Sequence, residues 1–190
     1  MKYIFIAYFF ILFELSPELG TGSIELFPKW IGYIFLAKAF KELANKSDTF
    51  KKNIMLTEGM ALADGIVWLL DIFFPGTLLV IQSPLKLLLR LFYYSSTYNV
   101  VKGIKEIEVY HNVNIGAKKI NTAWWLFVTT KLSGIVASVN VLSLLVVSML
   151  HLVACVYYLI VLNKTRKAYN GLPQTVEKKS MKECAKVQTE

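Results

Sequence analysis

The lysine and arginine residues of this chain are gathered into four segments, and long apolar stretches separate those segments. Seventeen of the 21 Lys and Arg residues lie in the four segments, whereas the intervening connections on the opposite side hold only Lys29. Positive charge collects on the cytoplasmic side of a membrane. The pattern therefore predicts six membrane crossings with both termini in the cytoplasm. The seventeen residues are Lys2, Lys38, Lys41, Lys46, Lys51, Lys52, Lys102, Lys105, Lys118, Lys119, Lys164, Arg166, Lys167, Lys178, Lys179, Lys182 and Lys186.

The composition agrees with a membrane protein. Hydrophobic residues make up 55% of the 190 residues, and the mean hydropathy is +0.49. Soluble domains contain about 45–50% apolar residues. The net charge of +8 could indicate a nucleic-acid partner, but the basic groups flank apolar stretches. We therefore expect them to meet anionic lipid headgroups of the bilayer, and we expect no nucleic acid.

The predicted fold is all-α: an integral membrane bundle of six transmembrane helices in three hairpins. A cytoplasmic amphipathic helix is expected after helix four, because Val100, Val101 and Ile104 recur at helical spacing against Lys102 and Lys105. The transmembrane domain spans 1–162, and 163–190 is predicted to be a disordered basic cytoplasmic tail. The predicted crossings run over about 2–16, 28–45, 53–73, 77–94, 122–138 and 140–162.

Six ionisable residues fall inside the predicted crossings three to five. An ionised side chain at the centre of a bilayer costs at least about 2.5–3.5 kcal/mol. The set contains three acids and three bases, so we expect its members to pair. They are Glu58, Asp64, Asp71, Lys86, Arg90 and Lys131.

The turn signal Pro75-Gly76 sets the register of the hairpin between helices three and four. In an antiparallel hairpin, residues equally far from the turn lie at one depth. Asp64 and Lys86 meet this condition, and so do Glu58 and Arg90 to within two residues. The sequence therefore predicts two ion pairs, which we call the polar ladder.

Lys131 lies seven residues before the outer turn of the last hairpin, within reach of Asp71 or Asp64. The polar ladder then has two interpretations. It fixes the helices to one another, or it lines a polar cavity that binds an ion or a small solute. A proton relay is a narrower form of the second interpretation.

Catalytic signatures are absent from the sequence. It has no HExxH, no GxSxG and no phosphate-binding GKS or GKT loop. His151 stands alone in the last crossing, where a hydrogen-bonded packing role is predicted over metal ligation. Cys155 and Cys184 fall in the last crossing and the tail, so no disulfide is expected. We expect no cofactor and no metal.

Three functions follow from these features. The first is a small-solute binding or transport-accessory protein of the plasma membrane, without enzymatic activity. The second is a structural or assembly subunit that docks a membrane protein partner on its basic cytoplasmic face. The third is an intramembrane enzyme that uses Asp64 or Glu58 as an acid or base.

The segment from Ile24 to Tyr33, followed by Phe50 and Lys51, resembles small multi-pass membrane proteins of Gram-positive bacteria. Those proteins carry a Pro-x-x-Ile-Gly-Tyr motif after a short first helix, here running from Pro28 to Tyr33. They usually have an acidic residue after the proline, and Lys29 departs from that pattern. The resemblance implies residence in the bacterial plasma membrane and no known activity. Within the motif, Gly32 is expected to permit close approach of helix one.

Overall fold

The structure, a computed structural model, describes residues 1–12, 18–19, 22–23, 28–74, 79–137 and 141–172. Within these ranges the fold is all-α, as predicted, apart from one two-residue antiparallel pair, β1 (Glu18–Leu19) with β2 (Gly22–Ser23). The predicted turn at Pro75-Gly76 and the tail from residue 173 lie outside the described residues. The helices are α1 (Lys2–Leu12), α2 (Lys29–Leu43), α3 (Asp48–Phe73), α4 (Leu79–His111), α5 (Ala117–Ala137) and α6 (Val141–Asn170).

Contacts between residues divide the chain into two compact units. The first unit contains Lys2–Ala44 and Phe50–Val100. The second contains Met1, Asn45–Thr49 and Val101–Glu190. The first unit thus holds α1, α2 and most of α3 and α4, whereas the second holds the start of α3, the end of α4, α5 and α6.

In the first unit, α1 packs tightly against α2 at Gly32. A Cβ atom on Gly32 would lie 2.5 Å from Ile11 Cγ1 and 2.8 Å from the carbonyl oxygen of Ala7. Both distances are too short for any side chain, so only glycine permits this approach. The prediction made for Gly32 is confirmed.

Inside the same unit, an aromatic contact joins α2 to α3 and a hydrogen bond joins α1 to α4. Phe40 stacks on Phe50 with ring centroids 4.8 Å apart, and both side chains are fully buried. The Tyr8 hydroxyl donates a hydrogen bond of 3.3 Å to the Thr97 carbonyl oxygen. The buried aromatic side chains of the unit thus connect α2 with α3, and the Tyr8 hydroxyl connects α1 with α4.

The predicted amphipathic stretch is helical, but it is the last part of α4 and not a separate helix. No proline interrupts the sequence between Pro84 and His111, so the helix continues. Its two faces are as predicted: Ile104 and Ile107 are buried, whereas Lys102 and Lys105 are exposed.

In the second unit, Glu106 of α4 caps the N-terminus of α3. Its carboxylate accepts hydrogen bonds from Ser47 Oγ at 2.6 Å, from the Thr49 backbone N–H at 3.0 Å and from the Thr49 hydroxyl. Partial burial alone would raise the pKa of Glu106, but these hydrogen bonds and the charge of Lys102 outweigh it and hold the pKa below its usual value.

Glu108 caps the N-terminus of α5 in the same unit. Its Oε1 accepts backbone hydrogen bonds from Ile115 at 2.8 Å, Gly116 at 2.6 Å and Ala117 at 2.8 Å. The first N–H groups of a helix have no partner within the helix, and a carboxylate satisfies them and also complements the helix dipole. Gly116 has a φ of 104°, which favours glycine at this turn.

α5 and α6 form an antiparallel pair in the second unit. A Cβ on Gly134 would meet Val147 Cγ1 at 4.0 Å, an ordinary contact distance, and Phe127 packs on Tyr158. α5 is therefore in close contact with α6 at Gly134. α6 continues to Asn170, so the first residues of the predicted tail are helical.

Among the described residues, α6 is the helix that is both long and apolar enough to cross a membrane. Of its most apolar 18-residue window, only 22% is buried. Val141, Leu145, Met149 and Val153 are 77%, 58%, 68% and 62% exposed. The core helix of a soluble protein would bury most of such a surface, so the finding points to association with a membrane.

Candidate functional site

The six predicted ladder residues lie on three helices. Glu58, Asp64 and Asp71 are on α3 and Arg90 is on α4, all in the first unit, and Lys131 is on α5 in the second. The Lys86 side chain is outside the described part of the structure, so the Asp64–Lys86 pair stays a prediction. The contacts proposed for Lys131 with Asp71 or Asp64 also stay a prediction.

Glu58 forms an ion pair with Lys41 of α2. The Glu58 carboxylate lies 2.5 Å from the Lys41 ammonium group. The prediction that Glu58 pairs with Arg90 is therefore wrong. The hairpin register relates α3 only to α4. However, α2 also lies alongside α3, and its Lys41 contacts the Glu58 carboxylate.

The register itself has support at the other end of the hairpin. The Asn99 side-chain amide donates a hydrogen bond of 2.8 Å to Asn53 Oδ1. These two residues are almost equally far along the chain from Pro75-Gly76. α3 and α4 thus run antiparallel near the predicted register at this depth, and their contact there is a hydrogen bond between neutral amides.

The Lys41–Glu58 pair lies in a groove between α2 and α3. The groove has a volume of about 340 Å³. Its apolar wall consists of Ile34, Ala37 and Ala61, and its polar groups are Lys38, Lys41 and Glu58. Two ammonium groups face one carboxylate, so the groove carries a net charge of about +1 at neutral pH.

Lys38 is held by the first helix. Its ammonium nitrogen lies 4.3 Å from the centre of the Tyr3 ring, a cation–π contact. Tyr3 in turn stacks on Phe35 with ring centroids 6.2 Å apart. α1 therefore positions one of the two cations of the groove, and Glu58 holds the other.

The side chains of the pair are open to their surroundings. The exposed fractions are 60% for Lys41 and 47% for Glu58. Ion pairs this exposed contribute about 0.2–1 kcal/mol to stability. The pair therefore does little to hold α2 against α3, and both charged groups remain accessible to a ligand.

An acid–aromatic cluster lies further along α3. Asp64, Trp68 and Asp71 share one face of the helix at spacings of four and three residues. Trp68 contacts Trp30 of α2 with ring centroids 6.1 Å apart, and a Cβ on Gly65 would lie 3.6 Å from the Trp30 ring, an ordinary contact distance. Trp30 is therefore a packing residue between α2 and α3.

His151 has the hydrogen-bonded packing role that the sequence predicts. Its Nδ1 lies 3.1 Å from the Thr130 hydroxyl, and its ring contacts Phe127. Within the described ranges, no group of three or more His, Cys, Asp or Glu side chains is close enough to hold a metal ion.

No family model, no curated protein and no solved structure matches this chain. The assignment of function therefore depends on the chemistry of the groove and on the surfaces of the helices.

The sequence pattern indicated Glu58 but not the groove, because Lys38 and Lys41 also fit the pattern of cytoplasmic flanking charges. The available signal was the short connection between Leu43 and Asp48. Helices joined by so few residues are usually neighbours. That connection would have placed α2 beside α3 but not Lys41 opposite Glu58, because Lys41 lies two residues before the connection and Glu58 lies ten residues after it.

Proposed function

We propose that this chain is a six-crossing protein of the bacterial plasma membrane, with both termini in the cytoplasm, that binds a small solute or serves a transporter as its solute-binding accessory. The distribution of Lys and Arg supports the topology. The exposed apolar surface of α6 supports the membrane setting. The proposal assigns no catalytic role to any residue.

The observation that carries the binding function is the exposed Lys41–Glu58 pair in the groove. A charged pair that contributes little stability is not explained by a role in holding helices together. In the proposed topology Lys41 belongs to the cytoplasmic segments of positive charge, so the groove opens toward water. A polar solute that enters it can contact both charges.

The chemistry of the groove specifies the class of solute. Lys38 and Lys41 provide ammonium groups for a carboxylate, and Glu58 accepts from a single amino or hydroxyl group. Ile34, Ala37 and Ala61 provide a small apolar wall. A small amphipathic carboxylate, such as an amino acid or hydroxy acid, satisfies all three parts of the site.

The second candidate is a structural or assembly subunit. The observation in its favour is the same exposure of Lys41 and Glu58, because a protein partner with one acid and one base could cover the groove. The two candidates differ in what remains bound after gentle purification.

Native mass spectrometry of the full-length protein in mild detergent distinguishes them. We expect wild type to carry a small molecule that Lys41→Met and Glu58→Gln lose. The control is Lys52→Met, which removes an exposed lysine of α3 outside the groove. A stoichiometric protein partner, or a small molecule retained equally by Lys41→Met, would contradict solute binding in this groove.

A further inference from the structure

Thr130, His151 and Cys155 form a connected chain of polar atoms between α5 and α6. The Thr130 hydroxyl oxygen lies 3.1 Å from His151 Nδ1, and His151 Nε2 lies 3.6 Å from Cys155 Sγ. All three residues belong to the second unit, far in sequence from the groove. Cys155 is 6% exposed, and His151 and Cys155 are four residues apart on α6.

The surroundings of Thr130 favour the tautomer of His151 that carries its proton on Nδ1. The Thr130 hydroxyl is 3.0 Å from the Leu126 carbonyl oxygen and 2.9 Å from that of Phe127, and a carbonyl can only accept. The hydroxyl has a single proton, and it donates that proton to the backbone. Its oxygen then accepts from Nδ1–H of His151. Nε2 is left with its lone pair, directed at the sulfur of Cys155.

We propose that His151 and Cys155 form a binding site for a monovalent soft metal ion of the Cu(I) class. Imidazole and thiolate are ligands that Cu(I) favours. Metal-binding histidines commonly donate their second N–H to an oxygen acceptor that fixes the tautomer, and Thr130 supplies that acceptor. The proposed site thus has two ligands, His151 and Cys155, and the Thr130 hydroxyl orients the histidine.

The charge of the ion follows from burial. A buried thiolate alone is costly, and so is a buried cation alone. One Cys155 thiolate, one neutral His151 and one monovalent cation sum to zero charge. A divalent ion would leave one positive charge uncompensated, and zinc would need further ligands that the described residues do not group there.

The geometry admits an ion without a change of fold. Metal–sulfur and metal–nitrogen bonds of about 2.3 Å and about 2.0 Å fit between atoms 3.6 Å apart in a bent arrangement. A linear arrangement requires the two atoms to separate by about 0.7 Å. Binding breaks the S–H bond of Cys155, forms one metal–sulfur and one metal–nitrogen bond, and releases one proton to water.

The test uses the full-length protein in detergent with Cys184→Ser as the background, so that Cys155 is the remaining thiol. Cu(I) is supplied under reducing, anaerobic conditions and competed with bicinchoninate, and proton release is followed with a pH indicator. We expect one Cu(I) and one released proton per chain. Cys155→Ser should abolish binding. His151→Leu and Thr130→Val should each weaken Cu(I) affinity by about 10–100-fold. Thr130→Val acts indirectly, because it removes the acceptor that orients His151.

The matched control is Met149→Leu, which removes a sulfur atom from the exposed face of α6 and should leave affinity unchanged. Thermal unfolding of each metal-free variant identifies any that fail to fold. X-ray absorption of the Cu(I)-loaded Cys184→Ser protein then reports the ligands of the metal directly, and we expect one sulfur and one nitrogen. Equal affinity in the folded His151→Leu variant, or a spectrum without a nitrogen ligand, would overturn the site. Rapid reaction of Cys155 with N-ethylmaleimide, without uptake of Cu(I), would also overturn the site, because that result indicates that Cys155 is a nucleophile.

Discussion

Glu106 and Glu108, two residues apart on α4, cap the N-termini of two different helices. Glu106 accepts hydrogen bonds from Ser47 and Thr49 at the start of α3, and Glu108 accepts them from Ile115, Gly116 and Ala117 at the start of α5. Two residues along a helix correspond to a rotation of about 200°, so the two carboxylates leave α4 on opposite sides. The last turns of α4 therefore anchor two helix starts in the second unit.

Removal of the Glu108 cap should destabilise the protein. We expect Glu108→Ala to lower the free energy of unfolding by about 1.5–3 kcal/mol, because three backbone N–H groups lose a charged acceptor. The measurement is thermal unfolding in detergent, followed by tryptophan fluorescence. The control is Lys105→Ala, an exposed residue on the same helix, which should change stability by less than about 0.5 kcal/mol. Equal melting temperatures for Glu108→Ala and the control would refute the capping role.

The Glu106 cap should make stability depend on pH. The pKa of Glu106 is lowered in the folded protein, so the unfolded chain binds the proton more readily. Its contribution is present above the unfolded pKa, near 4.5, and is lost as the pH falls through the lower folded pKa. Wild type should therefore lose melting temperature between about pH 5 and about pH 3 more steeply than Glu106→Gln. Parallel pH profiles for the two proteins would contradict this account.

Gly32 on α2 and Gly59 on α3 allow a controlled comparison of glycine-to-alanine substitutions. A Cβ at Gly32 collides with Ile11 and Ala7, whereas a Cβ at Gly59 meets nothing within 4 Å. Gly32→Ala should destabilise by about 1–3 kcal/mol through overpacking. Gly59→Ala should be neutral or stabilising by up to about 1 kcal/mol, because alanine is the better helix former. Chemical denaturation of both variants checks the difference, and its absence would mean that α1 does not pack on Gly32.

The Lys41–Glu58 pair should matter more for binding than for stability. A double-mutant cycle with Lys41→Met and Glu58→Gln should give a coupling free energy of about 0.2–1 kcal/mol, as expected for an exposed pair. The equivalent cycle with Arg90→Met and Glu58→Gln should give no coupling. A large coupling in the second cycle would restore the pair predicted from the hairpin register, and a coupling of several kcal/mol in the first would make the groove a structural element.

The sequence predicted the parts of the fold that depend on local pattern. The Pro28 start of α2, the apolar face of α4 at Ile104 and the close approach at Gly32 each follow from one residue type in one local setting. The hydrogen bond between Asn53 and Asn99 lies near the register set by the turn signal. In each case the prediction needed only a local pattern or the position of a turn.

Partner choice between helices was not predictable in the same way. A carboxylate such as Glu58 pairs with whichever base comes nearest, and Lys41 and Arg90 are equivalent by charge. Which of the two lies nearer depends on how α2 packs beside α3, as seen in the Trp30–Trp68 contact. The capping roles of Glu106 and Glu108 were likewise not predictable. In the sequence both residues fit the polar face of an amphipathic helix, and their capping depends on where distant helices begin.

Topology mapping shows whether the chain crosses the membrane six times. Reporters that are active only outside the cytoplasm are fused after Gly20, Pro75 and Val139, and control fusions are made after Lys46 and Asn112. We predict activity at the first three positions and none at the two controls. Matching fluorescent-protein fusions should show the reverse. A chain that crosses the membrane only through α6 would place all five positions on one side, and that result would contradict the account.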